Sequence, residues 1–202
     1  MSKTVSRRMV ALLLCAVAAL AACNSIDPPS SGPKTPGSRA PVSSAPPNTS
    51  LPMPPLNGGS LNNLGWTADG GQRNVFSDFR GKVLVLDFYA TWCAPCRRSI
   101  PHLVELQKKF ADQGLQVIGL NVGGPDDLKE VPAFAQEFGI QYPLAIPDDE
   151  LVSFLLSDSD AIPQTFIFDR QGQLAERLIG YGPTAAERID NAVEAALQTP
   201  AP

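Results

Sequence analysis

Two cysteines separated by two residues, Trp92-Cys93-Ala94-Pro95-Cys96, sit at a junction that limits the possible folds more than any other stretch of the chain. Before them, Val83-Leu84-Val85-Leu86-Asp87-Phe88-Tyr89 is an almost unbroken apolar run and predicts a buried central strand. After them, Ile100, Leu103, Leu106 and Phe110 recur at helical spacing. Cys93 therefore falls where a strand ends and a helix begins. The free N–H groups and dipole of a helix start favour a thiolate over a thiol, lowering a cysteine pKa from about 8.5 toward neutrality or below. The two intervening residues let Cys96, one turn along, close a disulfide with Cys93. A structural pair or half a zinc site is the alternative. Zinc would want two further ligands, and the chain has no second cysteine pair and one histidine, His102. The junction points to redox chemistry.

Composition divides the 202 residues into a tail and a domain, because half of the twenty prolines lie between Pro28 and Pro55. Lys3, Arg7 and Arg8 precede an apolar run from Met9 to Ala22, too short to span a bilayer comfortably, which predicts a signal peptide over residues 1–22. Without those three cations, 13 basic residues face 20 acidic ones, a net charge of −7. A chain with no basic face is not expected to bind nucleic acid. From Asn24 to Gly59 the chain is rich in Pro, Ser, Gly, Thr and Ala and buries too little to offset chain entropy, so residues 23–59 are predicted to be a disordered tether. The folded domain is expected over residues 60–199. Of the four cysteines only Cys93 and Cys96 lie in it, so one dithiol is free to cycle.

Within that domain, Leu64 to Val75, with Gly70-Gly71 at its centre, predicts a hairpin. Leu115 to Val122 is a second apolar strand. Asp126 to Phe138 is expected to be a helix, with Val131, Phe134, Ala135 and Phe138 on one face. A strand over Tyr142 to Ile146 and a helix over Asp149 to Leu156 follow. Thr165 to Asp169 and Leu174 to Ile179 flank Arg170-Gln171-Gly172 as a second hairpin. Thr184 is expected to cap a final helix carrying Ile189, Val193 and Leu197. This order predicts an α/β architecture with a mixed central sheet flanked by helices.

Several motifs carry a family resemblance: Phe79-Arg80-Gly81-Lys82-Val83, Ala90-Thr91-Trp92 before Cys93, and Ile162-Pro163-Gln164-Thr165-Phe166. With the dithiol, they make the segment from Leu64 to Leu197 resemble a thioredoxin-like domain of the TlpA/ResA kind, the membrane-tethered thiol-disulfide oxidoreductases. The stretch from Val122 to Pro147 is similar to the strand–helix insert of that branch. The resemblance implies Cys93 as attacking thiolate and Cys96 as resolving thiol. It implies Asp87 as a buried acid beneath the dithiol that accepts the resolving thiol's proton, an edge-facing surface Asp being the alternative. Pro163 would be a cis proline facing the dithiol, with Ile162 offering its backbone to substrate. Pro95 would stiffen the first helical turn and Trp92 would provide an apolar platform beside the sulfur. Arg97 and Arg98 would favour the thiolate or remain solvated charges, and His102 is expected on the exposed helix face. No cofactor or metal is implied.

Leu20-Ala21-Ala22-Cys23 resembles the bacterial lipobox, which implies lipidation at Cys23, anchoring to the periplasmic face of a bacterial membrane and, from Asn24, a lean toward the outer membrane. The family resemblance further implies protein thiol or disulfide substrates, a membrane electron donor of the DsbD/CcdA type, and a monomer. Many reductases of the branch carry Glu three residues after the second cysteine, where this chain has Ser99, which puts a cytochrome-maturation role in doubt. Two other functions compete. A peroxiredoxin-like peroxidase would need a proline-and-threonine approach to its cysteine, whereas Ala90-Thr91-Trp92 precedes Cys93. A copper-binding or delivery module would need a distal histidine in a late loop.

Overall fold

The computed structural model describes residues 61–202. The signal peptide expected over 1–22, the lipidation expected at Cys23 and the tether expected over 23–59 lie outside the described residues. Seven strands form one sheet: β1 (Gly65–Ala68), β2 (Arg73–Val75), β3 (Val83–Tyr89), β4 (Leu115–Asn121), β5 (Leu144–Pro147), β6 (Gln164–Phe168) and β7 (Leu174–Ile179). Among the described residues four α-helices accompany them: α1 (Ala94–Phe110), α2 (Val131–Phe138), α3 (Asp149–Leu155) and α4 (Ala185–Gln198). The spatial order is β2-β1-β5-β4-β3-β6-β7. The β3–β4 and β4–β5 pairs are parallel and the rest antiparallel, so the sheet is mixed as expected. Among the described residues, no helix is long and apolar enough to cross a membrane.

All seven residues of β3 are buried, which explains why its sequence is apolar throughout instead of alternating. Period-two geometry sends its side chains to opposite faces. Val83 and Val85 meet Leu103, Leu106 and Phe110 of α1 and Ile189 and Val193 of α4. Leu84, Leu86 and Phe88 pack on the other face with Trp66, Phe76 and Leu151 and Leu155 of α3. Asp87 shares the parity of Val85 and Tyr89, so it projects toward the α1 side. At the end of β3 a third cluster joins Tyr89, Ala90, Cys93, Cys96, Ile100 and Phe134 of α2.

The first hairpin forms where the glycine pair predicts it, with Gly70 and Gly71 at φ 93° and 82°. Its strand β1 also pairs with β5, which builds the hairpin into the main sheet. The helix expected from Asp126 is shorter. Asp127–Lys129 is a 3-10 turn, and α2 begins only at Val131, with Pro132 in its first turn, where a missing N–H costs nothing. Thr184 occupies the N-cap of α4, but its side chain makes no capping hydrogen bond.

Candidate active site

Cys93 is the N-cap of α1, in extended conformation (φ −75°, ψ 106°), and its Sγ accepts the N–H of Cys96 at 3.2 Å. This is the place an N-cap side chain normally fills with oxygen. Ala94 and Pro95 make up the first turn, where Pro95 removes an N–H that would have no helical partner. Cys93 and Cys96 are joined as a disulfide, with Cα atoms 5.2 Å apart. Cys96 is fully buried. Cys93 is only 4% exposed, and the Ile162 carbonyl oxygen lies 3.7 Å from its Sγ. Trp92 stands 68% exposed beside the pair and does not pack on the sheet. Ser99 is buried and donates to the Cys96 carbonyl at 2.9 Å.

The Ile162–Pro163 bond is cis, and Pro163 is buried. The loop before it is tied to the sheet by side chains. Gln164 Nε2 donates to the carbonyls of Ser159 (2.8 Å) and Ala161 (2.9 Å). Gln164 Oε1 accepts from Arg177 at 2.7 Å, and Arg177 also makes two bonds to Asp158 at 2.7 and 2.9 Å. That guanidinium holds the Asp158 carboxyl below the usual range.

Asp87 is 1% exposed and lies on the sheet face covered by α1, not at an edge. Among the described residues its one side-chain partner is Thr165, whose hydroxyl donates to Oδ1 at 2.8 Å. Burial pushes the carboxyl up to about 7, against the opposing pull of that hydrogen bond. A group poised there can exchange a proton near neutral pH.

Two expectations are corrected. His102 is not an exposed helix residue: it is half-buried, with Nε2 2.9 Å from Asp190 Oδ1 of α4. Arg97 is not a free solvated charge, one of the two readings its sequence position left open. Its guanidinium donates to the Thr91 carbonyl at 3.2 Å, pairs with Glu137, and lies over the rings of Phe134 and Phe138 at 5.4 and 4.9 Å. The aromatic face of α2 draws it sideways. Arg98 bonds back to the Ala94 carbonyl at 3.3 Å.

Sequence reasoning missed Asp127. This buried acid accepts the Thr91 N–H at 3.0 Å, the Thr91 hydroxyl, and the Asn121 amide at 2.6 Å. Burial pushes its carboxyl up, but these donors outweigh that and hold it below the ordinary carboxylate range. The available signal was Asn121, a polar residue closing an apolar strand. Among the described residues, no group of three or more His, Cys, Asp or Glu side chains is placed to hold a metal ion.

The fold is thioredoxin-like. A solved structure described as a putative thiol:disulfide interchange protein DsbE from Chlorobium tepidum matches with a TM-score of 0.58 at 27% identity, over 68% of this chain and 94% of that one. Thiol-disulfide oxidoreductase ResA of Geobacillus kaustophilus is 34% identical over 110 residues, 54% of this chain and 62% of the relative. ResA of Bacillus subtilis is 30% identical over 110 residues, 54% of this chain and 60% of the relative. The chain thus spans about three-fifths of the length of these curated relatives. A family model described as the AhpC/TSA family matches residues 47–177. The chain belongs to the AhpC/TSA family, and within it resembles the ResA-like thiol-disulfide oxidoreductases.

Proposed function

We propose that this protein is a thiol-disulfide oxidoreductase that reduces protein disulfides through Cys93 and Cys96. The observation that carries the reading is Cys93 at the N-cap of α1, its sulfur accepting the Cys96 N–H. The same N–H and the helix dipole would stabilise a thiolate there once the pair is reduced.

The Cys93 thiolate attacks one sulfur of a substrate disulfide, forming a mixed disulfide and expelling the other sulfur as a thiolate that takes up a proton. Cys96 then loses its proton and attacks the Cys93 sulfur. The second substrate sulfur leaves, is protonated, and the Cys93–Cys96 disulfide remains. Two electrons and two protons pass to the substrate. Asp87 is the acceptor for the Cys96 proton: it is uncharged or charged with nearly equal ease near neutrality and lies on the α1 side of the sheet. Ile162, held by the cis Pro163 loop 3.7 Å from Cys93 Sγ, presents backbone to the substrate chain, and exposed Trp92 gives it an apolar surface. Pro95 keeps the first helical turn in shape.

The cycle needs a source of electrons, for which a membrane donor of the DsbD/CcdA type is the fitting class. Lipidation at Cys23 after removal of residues 1–22, with 23–59 as tether, would hold a monomeric domain at the periplasmic face of a bacterial membrane, the outer one by the Asn24 criterion. The test is reduction of insulin disulfides by the reduced protein. Wild type is expected to reduce them catalytically with dithiothreitol as donor, and Cys93→Ser to lose this completely. Peroxide consumption with no disulfide reduction would contradict the proposal and favour the peroxidase alternative.

A further inference from the structure

The segment between β4 and α2 reaches back to the loop that carries the reactive cysteine. That loop is a tight turn: the Cys93 N–H bonds to the Ala90 carbonyl at 3.2 Å, leaving Thr91 and Trp92 as its two central residues. We propose that Asp127 is a positioning residue of the redox centre, whose buried carboxylate holds the turn bearing Trp92 and Cys93 and whose charge opposes the Cys93 thiolate. The proposal rests on Cys93 being the attacking sulfur.

The geometry is that of a built clamp. Asp127 accepts both the N–H and the hydroxyl of Thr91, so the turn is gripped through backbone and side chain. Its Oδ2 also takes the Asn121 amide, and Asn121 Oδ1 is in turn fixed by the Gly123 N–H at 3.0 Å. Gly123 leaves the necessary room, since a Cβ there would collide with the Asp127 carboxyl group. The Thr91 carbonyl is held separately by Arg97 at 3.2 Å. Every polar group of Thr91 is therefore anchored, while its neighbour Trp92 projects into solvent.

The electrostatics follow from the donor set. Thr91 and Asn121 are neutral, so Asp127 is kept ionised without a cation to cancel its field. The other charged or titratable groups around the turn are Arg97 and Arg98 on α1, Glu137 on α2, and Asp87 and Tyr89 on β3; Arg98 is bonded back to the Ala94 carbonyl. Arg97 and Glu137 pair with each other. Tyr89 stays neutral because burial pushes its phenol up. Asp126, just before the 3-10 turn of Asp127, and Lys129, at its end, pair in solvent. The α1 N-terminus thus pulls Cys93 toward the thiolate and Asp127 pushes the other way. Balanced pKa values suit exchange, because a thiol that ionises too readily is also a weaker nucleophile.

The experiment follows iodoacetamide alkylation of Cys93 against pH, by mass spectrometry, in the reduced full-length protein. Asp127→Asn removes the charge and keeps the shape. Gly123→Ala keeps the charge and displaces the carboxylate. Asp127→Asn is expected to lower the Cys93 midpoint by about half to one pH unit, making alkylation up to roughly tenfold faster below the wild-type midpoint. Gly123→Ala is expected to shift it the same way by less, and decides the matter alone if Asp127→Asn does not fold. A depressed wild-type midpoint that neither variant moves, with only thermal stability falling, would overturn the role of Asp127. A wild-type midpoint near that of free cysteine, about 8.5, would overturn the reading of Cys93 itself.

Discussion

Asp87 on β3 and Asp127, which is bonded to the turn before Cys93, are both buried acids, yet the first has its carboxyl raised to about 7 and the second is held below the ordinary range. The difference is in the donors. Asp87 receives one side-chain hydrogen bond, from Thr165. Asp127 receives the Thr91 N–H, the Thr91 hydroxyl and the Asn121 amide. Burial alone does not set protonation; the number of donors aimed at the carboxylate does. Near neutral pH the first carboxyl can gain or lose a proton, while the second stays ionised.

The largest test of that contrast is Asp87→Asn. In wild type, the folded carboxyl at about 7 lies above its unfolded value of 3.8, so between these values the native state keeps a proton that the unfolded chain has released. The stability contributed by that protonated group is full below about pH 4 and declines until the pH passes about 7. Asp87→Asn should remove the slope, worth on the order of 4 kcal/mol between pH 4 and pH 8, in urea unfolding at both pH values. The same variant should slow disulfide reduction by about 100-fold or more at pH 7 if Asp87 takes the Cys96 proton. Parallel stability curves in wild type and variant would erase the distinction between the two acids.

Asp127→Asn should give the opposite signature at smaller size. Its folded pKa is depressed, so its contribution is present above the unfolded value and lost as pH falls through the folded one. The variant should lose about 1–3 kcal/mol at pH 7, because one amide oxygen must serve donors that two carboxylate oxygens now share. It should then lose less than wild type on acidification below pH 4, which thermal melts across that range would measure. Thr165→Val is the finest probe. It removes the one hydrogen bond that lowers the Asp87 pKa, so the limb of the pH–activity profile governed by Asp87 should move upward, by less than about one unit, at a stability cost of about 1 kcal/mol.

Much of the centre was legible in the chain because its signals are local. The apolar run Val83–Tyr89 predicts a strand buried on both faces, and the change of period at Cys93 predicts the helix start. Gly70-Gly71 predicts the hairpin, and Ile162-Pro163, through its family resemblance, the cis bond. Asp87 stood out as the one charge in an apolar strand, and strand parity turned it toward α1. What was hidden depends on side chains meeting across long separations. Asp127 lies 36 residues from Thr91 and looks in sequence like a surface acid at a helix start. His102 finds Asp190 across 88 residues, and Arg97 finds Glu137 of α2 across 40. Periodicity carries none of these pairings. The late start of α2 reflects Pro132, which fits a first turn and not the interior of the longer helix the pattern predicted.

The central claim is that Cys93 captures and Cys96 releases, and trapping separates the two most directly. Each single variant, Cys96→Ser and Cys93→Ser, would be incubated with oxidised insulin and resolved by non-reducing electrophoresis. The account predicts a stable mixed disulfide on Cys93 in Cys96→Ser and none in Cys93→Ser. Capture by the remaining Cys96 in Cys93→Ser, or none by Cys96→Ser, would contradict it.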